Sequence, residues 1–224
     1  MKDLINSAAR HVPVWAVWLT GSAPLLWLAV QVVQGSLGPD PAKTMERELG
    51  LWALRFLMLS LAISPLRWLG LNLLRFRRAL GLLAFAYATI HLTVWVWPDM
   101  GLLWQQMAAD IVKRPYLLLG AGAFLAMLPL ALTSSNMALR RMGGAAWRRL
   151  HRLAYPALGM AILHFILLSR VWTAELVIHL ALSLGLLLVR LLPKRPVLGR
   201  VAAAKPLPGN KVAERGAATE RNFL

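Results

Sequence analysis

Three histidines lie in stretches that are otherwise almost wholly apolar: His91 within residues 79–97, and His151 and His164 within residues 150–169. A metal-capable side chain in a membrane-length apolar run is costly to keep there and marks a candidate functional site. Neutral imidazole is a normal axial ligand of heme iron, so the chemistry these residues offer is one-electron transfer. His91 lies twelve residues into its run and His164 about fourteen into its own. At about 1.5 Å per helical residue, both sit roughly 18–21 Å from the same end of their helices. Two imidazoles at matched depth on neighbouring helices can ligate one iron from opposite faces.

His151 is thirteen residues before His164, roughly 20 Å along a helix and, at about 3.6 residues per turn, off its face. A partner for it on the other helix falls at Arg77 or Arg78. A guanidinium stays protonated and is a poor iron ligand. The inner site is therefore five-coordinate, ligated in some unusual way, or not a heme site, and the two arginines can pair with propionates or a flavin phosphate. A lone histidine on an apolar helix is more often a hydrogen-bonded polar residue than a ligand. His11 reads as interfacial in that sense, and His179 has no matched partner in the sequence.

These residues need helices to hold them, and the chain supplies apolar runs of spanning length. Hydrophobic residues make up 58% of it, above the roughly 45–50% of soluble domains, and they are gathered in blocks. Six spans are expected, near residues 12–33, 49–64, 79–97, 116–133, 150–169 and 174–192. The first is too long for the apolar core of a secretory signal and no clean cleavage site follows it, so it reads as a retained helix. Residues 34–48, with two glycines, two prolines and mixed charges, read as a loop. Residues 102–112 have the alternation of a short interfacial helix. Pro156 is positioned to kink the fifth span. Arg55, inside the second span, is either a counter-ion for a buried anion or a side chain that snorkels to the interface. Gly120 and Gly122 suit close helix packing.

Charge and cysteine count narrow the class. The net charge is +16, but the arginines cluster between apolar runs, which explains them by membrane orientation rather than nucleic acid. Three basic segments (67–78, 140–152 and the tail) fall on one side of a six-span chain, so both termini are expected in the cytoplasm. With no cysteine, disulfides, iron–sulfur clusters and thiol catalysis are excluded. The domain division is a six-helix membrane bundle over 1–193 and a basic, poorly ordered cytoplasmic tail over 194–224. No GxGxxG fingerprint opens a nicotinamide domain, so electrons must come from another molecule. The ten tryptophans read mainly as interface anchors.

The segments RRALGLLAFAYATIHL (residues 77–92) and TSSNMALRRMGGAAWRRLHRLAYPALGMAILHF (residues 133–165) closely resemble the ferric-reductase-like transmembrane group, which includes NADPH oxidases. Within it the resemblance is to heme-binding membrane subunits of bacterial periplasmic methionine sulfoxide reductase systems. It covers roughly residues 10–195. The wider group places two histidines on each of spans three and five around two stacked b hemes; this chain keeps His91, His151 and His164 and departs at Arg77 and Arg78. One heme on His91 and His164 is the count the residues carry, with a second left open at His151. The resemblance further implies FMN, a bacterial inner membrane, and electrons drawn from quinone or a cytoplasmic flavin reductase. It implies as acceptor a periplasmic molybdopterin-containing subunit that holds the catalytic site. The rivals are a ferric-reductase-type relay and, from another class, a small transporter or structural membrane subunit.

Overall fold

The computed structural model describes residues 2–191; the tail assigned to 194–224 lies outside them. Among the described residues all regular structure is helical. Inside a bilayer, helices satisfy every backbone N–H and C=O within one segment, which is why apolar runs of this length take that form. In chain order they are α1 (Lys2–His11), α2 (Val14–Val33), α3 (Pro41–Leu66), α4 (Leu74–Val94), α5 (Trp104–Lys113), α6 (Pro115–Leu132), α7 (Asn136–Met142), α8 (Gly144–Leu150), α9 (Ala154–Leu168) and α10 (Ala174–Leu188). Five runs are long and apolar enough to cross a membrane: Val14–Val33, Pro41–Leu69, Leu74–Asp99, Pro115–Leu132 and Gly144–Leu168. The sixth apolar helix, α10, is shorter. The expected membrane bundle of helices is thus what forms, and α5 is the short helix anticipated between the third and fourth spans.

Two boundaries differ from expectation. Residues 41–48 are not loop but the first turns of α3. Pro41 occupies the first helical position, where its missing N–H is no loss, and the Asp40 carboxylate caps the helix by accepting from the Lys43 N–H at 3.1 Å. The 26 residues of α3 extend about 39 Å, beyond a hydrocarbon core of roughly 30 Å, so Lys43, Glu46, Arg47 and Glu48 stand on the part of the helix that emerges. The fifth span is also broken. A 3₁₀ turn at His151–Leu153 separates α8 from α9. The proline ring of Pro156 would meet the carbonyl of Arg152 in a continuous helix; with the break placed before it, Pro156 sits in the first turn of α9, where no N–H is needed.

The core is centred on α3, whose Leu49, Leu54, Phe56, Leu57, Leu61 and Ile63 are buried. The many exposed leucines and valines elsewhere form the surface a lipid environment would cover. Charge is unevenly shared along the bundle, although the end that holds most of the acids also carries Lys43, Arg47, Lys113, Arg114 and Arg170. Arg67, Arg75, Arg77, Arg78, Arg140, Arg141, Arg148, Arg149 and Arg152 gather at one end, and Asp40, Glu46, Glu48, Asp99, Asp110 and Glu175 at the other. At the arginine-rich end α1 is tied to the segment before α4 and to the first turn of α4: Asn6 Nδ2 donates to the Gly70 carbonyl at 2.8 Å, and Arg75 Nη1 to the Arg10 carbonyl at 2.8 Å.

One side chain completes a helix that is not its own. Pro24 interrupts α2, and the Tyr87 hydroxyl enters the opened ladder. It donates to the Gly21 carbonyl at 2.7 Å and accepts from the Leu25 N–H at 3.1 Å, so it bonds both groups of the turn that Pro24 sits in. Tyr87→Phe keeps the ring but strands both groups in an apolar setting. The expected cost is about 1–3 kcal/mol, seen as a lower midpoint in thermal unfolding of detergent-purified protein with helix content unchanged at low temperature.

Candidate functional site

Two helix pairs build the site. α4 packs along α3 and α9 along α6. Where the pairs meet, His91 of α4 and His164 of α9 face one another with ring centroids 6.4 Å apart and ring planes at 82°. Both line a cavity of about 380 Å³, walled mainly by apolar side chains including Leu54, Ala88, Phe124, Ala161 and Phe165, a size within the range of cofactor sites. His91 Nδ1 lies 2.7 Å from the Glu46 carbonyl and His164 Nδ1 lies 2.6 Å from the Tyr116 carbonyl. A carbonyl only accepts, so both Nδ1 atoms carry the proton and each Nε2 keeps its lone pair.

The donor set fits heme. Among the described residues, no group of three or more His, Cys, Asp or Glu side chains is placed to hold a bare metal ion. Two opposed imidazoles in an apolar slot suit a metal that brings four in-plane donors with it. Two metal–imidazole bonds of about 2 Å plus the rings' own radii set the centroids of opposed ligands roughly 6 Å apart, the separation found here. His91 and His164 are therefore the pair that depth matching along the sequence anticipates.

His151 is placed elsewhere. Its ring stacks on Trp147 at 3.7 Å and 23°, and its Nδ1 donates to the Trp147 carbonyl at 3.1 Å. Its Nε2 is buried without a hydrogen-bond partner. It lines a second cavity of about 290 Å³ together with Arg77, Arg78, Ser60, Ser134, Ser135 and Asn136. Arg78 Nη1 donates to Asn136 Oδ1 at 3.2 Å, and the Arg77 carbonyl accepts from Ser60 Oγ at 3.2 Å. The structure so brings Arg77, Arg78 and His151 around one cavity at the arginine-rich end. Leu57 and Met127 line both cavities and form the wall between them.

Arg55 is a counter-ion, as one of its two sequence readings has it, and the anion is a partly buried carboxylate of the chain itself. Its Nη2 binds Glu175 Oε1 at 2.8 Å, its Nε donates to His179 Nε2 at 3.3 Å, and its guanidinium lies 4.8 Å over the Trp52 ring. The other oxygen of Glu175 takes Arg47 Nη2 at 2.6 Å. His179, buried on α10, donates from Nδ1 to the Glu175 carbonyl at 2.7 Å. His179 thus has its partner in Arg55, a residue 124 positions away, which no local spacing could have revealed. The cluster pins α10 to α3 beside the first cavity, whose wall includes Arg47. Glu175→Gln removes the shared charge and leaves two guanidiniums facing a neutral amide. It is expected to lower stability by about 1–3 kcal/mol, read as a reduced thermal midpoint, while Glu175→Asp keeps the charge and loses less.

Two glycines complete the histidine site. Gly50 on α3 and Gly120 on α6 lie directly against the two rings: a Cβ built on Gly50 would stand 3.1 Å from His91 Nδ1, and one on Gly120 3.0 Å from His164 Nδ1. Gly120 was legible as a packing position; Gly50, beside a run of charges, carried no signal.

A family model described as ferric reductase like transmembrane component matches residues 49–162, a stretch that includes His91 and His151 and stops just short of His164. Proteins from Brucella ovis, Brucella canis and Brucella suis are each 43% identical to this chain over 203 residues, covering 90% of it and 91% of their own length. Each bears the name protein-methionine-sulfoxide reductase heme-binding subunit MsrQ. No solved structure matches the chain.

Proposed function

The chain belongs to the MsrQ heme-binding subunits and to the wider ferric-reductase-like transmembrane components, and from that premise we propose that it is a b-type cytochrome subunit in which His91 and His164 are the axial ligands of one heme. The observation that carries this assignment is the facing pair: two buried-side imidazoles 6.4 Å apart, each with Nδ1 donating to a backbone carbonyl and Nε2 free to bind a metal. A heme bound there supplies a one-electron carrier. The residues hold the neutral ring tautomer that ligation needs, and the apolar walls keep water from the site.

In this reading the chain serves a methionine sulfoxide reductase system as its membrane electron-transfer subunit. The catalytic site lies on a separate periplasmic molybdopterin-containing reductase, and the donor is quinone or a cytoplasmic flavin reductase. The uneven sharing of charge supports an orientation with the arginine-rich end, and both termini, in the cytoplasm of a bacterium whose inner membrane holds the chain. The second cavity, with His151 Nε2 unpartnered and Arg77 and Arg78 on its wall, is the place for an inner cofactor. The chemistry there suits either a second heme, with the arginines on its propionates, or the phosphate of FMN. The division into a membrane bundle over 1–193 and a cytoplasmic tail over 194–224 belongs to the same proposal.

Five measurements test it. Purified protein should show sharp reduced α and β bands of a b-type cytochrome. His91→Ala or His164→Ala should abolish the low-spin spectrum, whereas His151→Ala should leave it in place; an unchanged spectrum in both of the first two variants removes the assignment. Heme and flavin counted per chain identify the inner cofactor. For orientation, the chain has no cysteine of its own, so Ser36→Cys should react with an impermeant maleimide in intact spheroplasts and Arg141→Cys only after lysis. The reverse labelling would invert the bundle. Coexpression with a periplasmic molybdopterin reductase should restore repair of oxidised periplasmic methionine only when His91 and His164 are intact.

A further inference from the structure

The two histidines rest on the bundle in the same way, although nothing in their flanking sequences announces a repeat. His91 Nδ1 donates to the carbonyl of Glu46, four residues before Gly50; His164 Nδ1 donates to the carbonyl of Tyr116, four residues before Gly120. In a helix a carbonyl at position i already accepts from the N–H at i+4, so each imidazole adds a second bond to a carbonyl whose ladder partner is that glycine. The rings also lie along the same edge. From the built Cβ of Gly50, His91 Cε1 and Nδ1 are both at 3.1 Å; from that of Gly120, His164 Nδ1 is at 3.0 Å and Cε1 at 3.1 Å.

We infer that Gly50 and Gly120 are paired positioning residues, which with the Glu46 and Tyr116 carbonyls make two matching seats for the metal-binding imidazoles. The inference rests on the heme reading of His91 and His164 and deepens it. Three consequences meet at each seat. The missing Cβ lets the ring approach the helix closely enough to reach the carbonyl. The hydrogen bond fixes the Nδ1–H tautomer and points Nε2 away from the helix, into the cavity. Because α3 and α6 offer the same seat near the same end of the bundle, the two Nε2 atoms are held at one depth and opposed. Elsewhere glycines meet other groups or none: an added Cβ would crowd Leu83 at Gly21 and stand 2.9 Å from Met160 Sδ at Gly122, while at Gly159, on the same helix as His164, and at Gly185 nothing lies within 4 Å. Close approach to a ring is thus a property of the two seats and not of glycine in this bundle.

A methyl group at either seat would stand 3.0–3.1 Å from the ring, closer than ordinary van der Waals contact, and the ring is attached to a packed helix. The ring has to give by a few tenths of an ångström, and Nε2 moves with it; ligand distances tolerate only about 0.2 Å. Gly50→Ala and Gly120→Ala are therefore expected to weaken heme binding roughly 10–100-fold, the usual effect of losing the partner that orients a ligand. They should also convert low-spin six-coordinate heme to a high-spin form. Gly159→Ala should match the unaltered protein in both respects. Optical and EPR spectra with heme titration of the three purified variants decide this. The inference fails if both seat variants retain the original affinity and spin state, or if Gly159→Ala is impaired equally. A low-spin heme absent from the unaltered protein would instead defeat the ligand assignment itself.

If an alanine variant does not fold, the unaltered chain still gives the answer. NMR of isotope-labelled histidine, with or without heme, should find the rings of His91 and His164 neutral and protonated at Nδ1. Protonation at Nε2 in either ring overturns the seats.

Discussion

A polar group inside an apolar bundle has no water to fall back on, so it must find its partner in the protein. The rest of this structure follows from the ways that demand is met. Tyr87 meets it for a helix that Pro24 has opened. Arg55, Glu175 and His179 meet it by closing on one another. His91 and His164 meet half of it, spending Nδ1 on a backbone carbonyl and leaving Nε2 directed at a cavity. That remaining lone pair is an unspent ligand, and two such rings lining one cavity are what the proposed heme assignment rests on.

The means of satisfaction also sets how the parts are spaced. A backbone carbonyl cannot move without its helix, so a ring bound to one is as fixed as the helix itself. α3 and α6 therefore do more than fill space: they locate the histidines that α4 and α9 carry. The arrangement works only where the supporting helix has no side chain beneath the ring, which ties the choice of residue at positions 50 and 120 to the geometry of the cavity on the other side of the ring. At the second cavity the logic is different. His151 is held by stacking on Trp147 within its own turn, next to a break in the helix, and its neighbours are arginines rather than a second imidazole. The two cavities share the wall of Leu57 and Met127 but differ in lining, one faced by two imidazoles among apolar side chains, the other by one imidazole beside two arginines.

The uneven charge along the bundle is consistent with this division. Most of the acids stand at the end that holds the histidine pair, and most of the arginines without an ion pair among the described residues stand at the end that holds His151. At the acidic end arginines are neutralised in pairs, as with Arg47 and Arg55 on Glu175. At the other end they have few protein carboxylates to pair with, so anionic groups of lipid, cofactor or partner are their natural counter-ions.

Much was legible before any coordinates. Hydropathy alone determined an all-helical membrane bundle, because a run of apolar residues can satisfy its backbone in lipid in only one way without forming a barrel. Depth arithmetic along a regular helix paired His91 with His164, and the same arithmetic placed Arg77 and Arg78, not a histidine, with His151. The tertiary structure alone decided what those rings bind behind them. Glu46 was read as loop and Gly50 as the edge of a span, since charge and proline mark loops equally well as helix ends that emerge from a membrane. The partner of Arg55 lies 120 residues away on α10, and the acceptors for His91 and His164 lie 45 and 48 residues away. Sequence periodicity records which face of a helix is apolar; it does not record which carbonyl of a neighbouring helix that face will meet, because that depends on how whole helices pack.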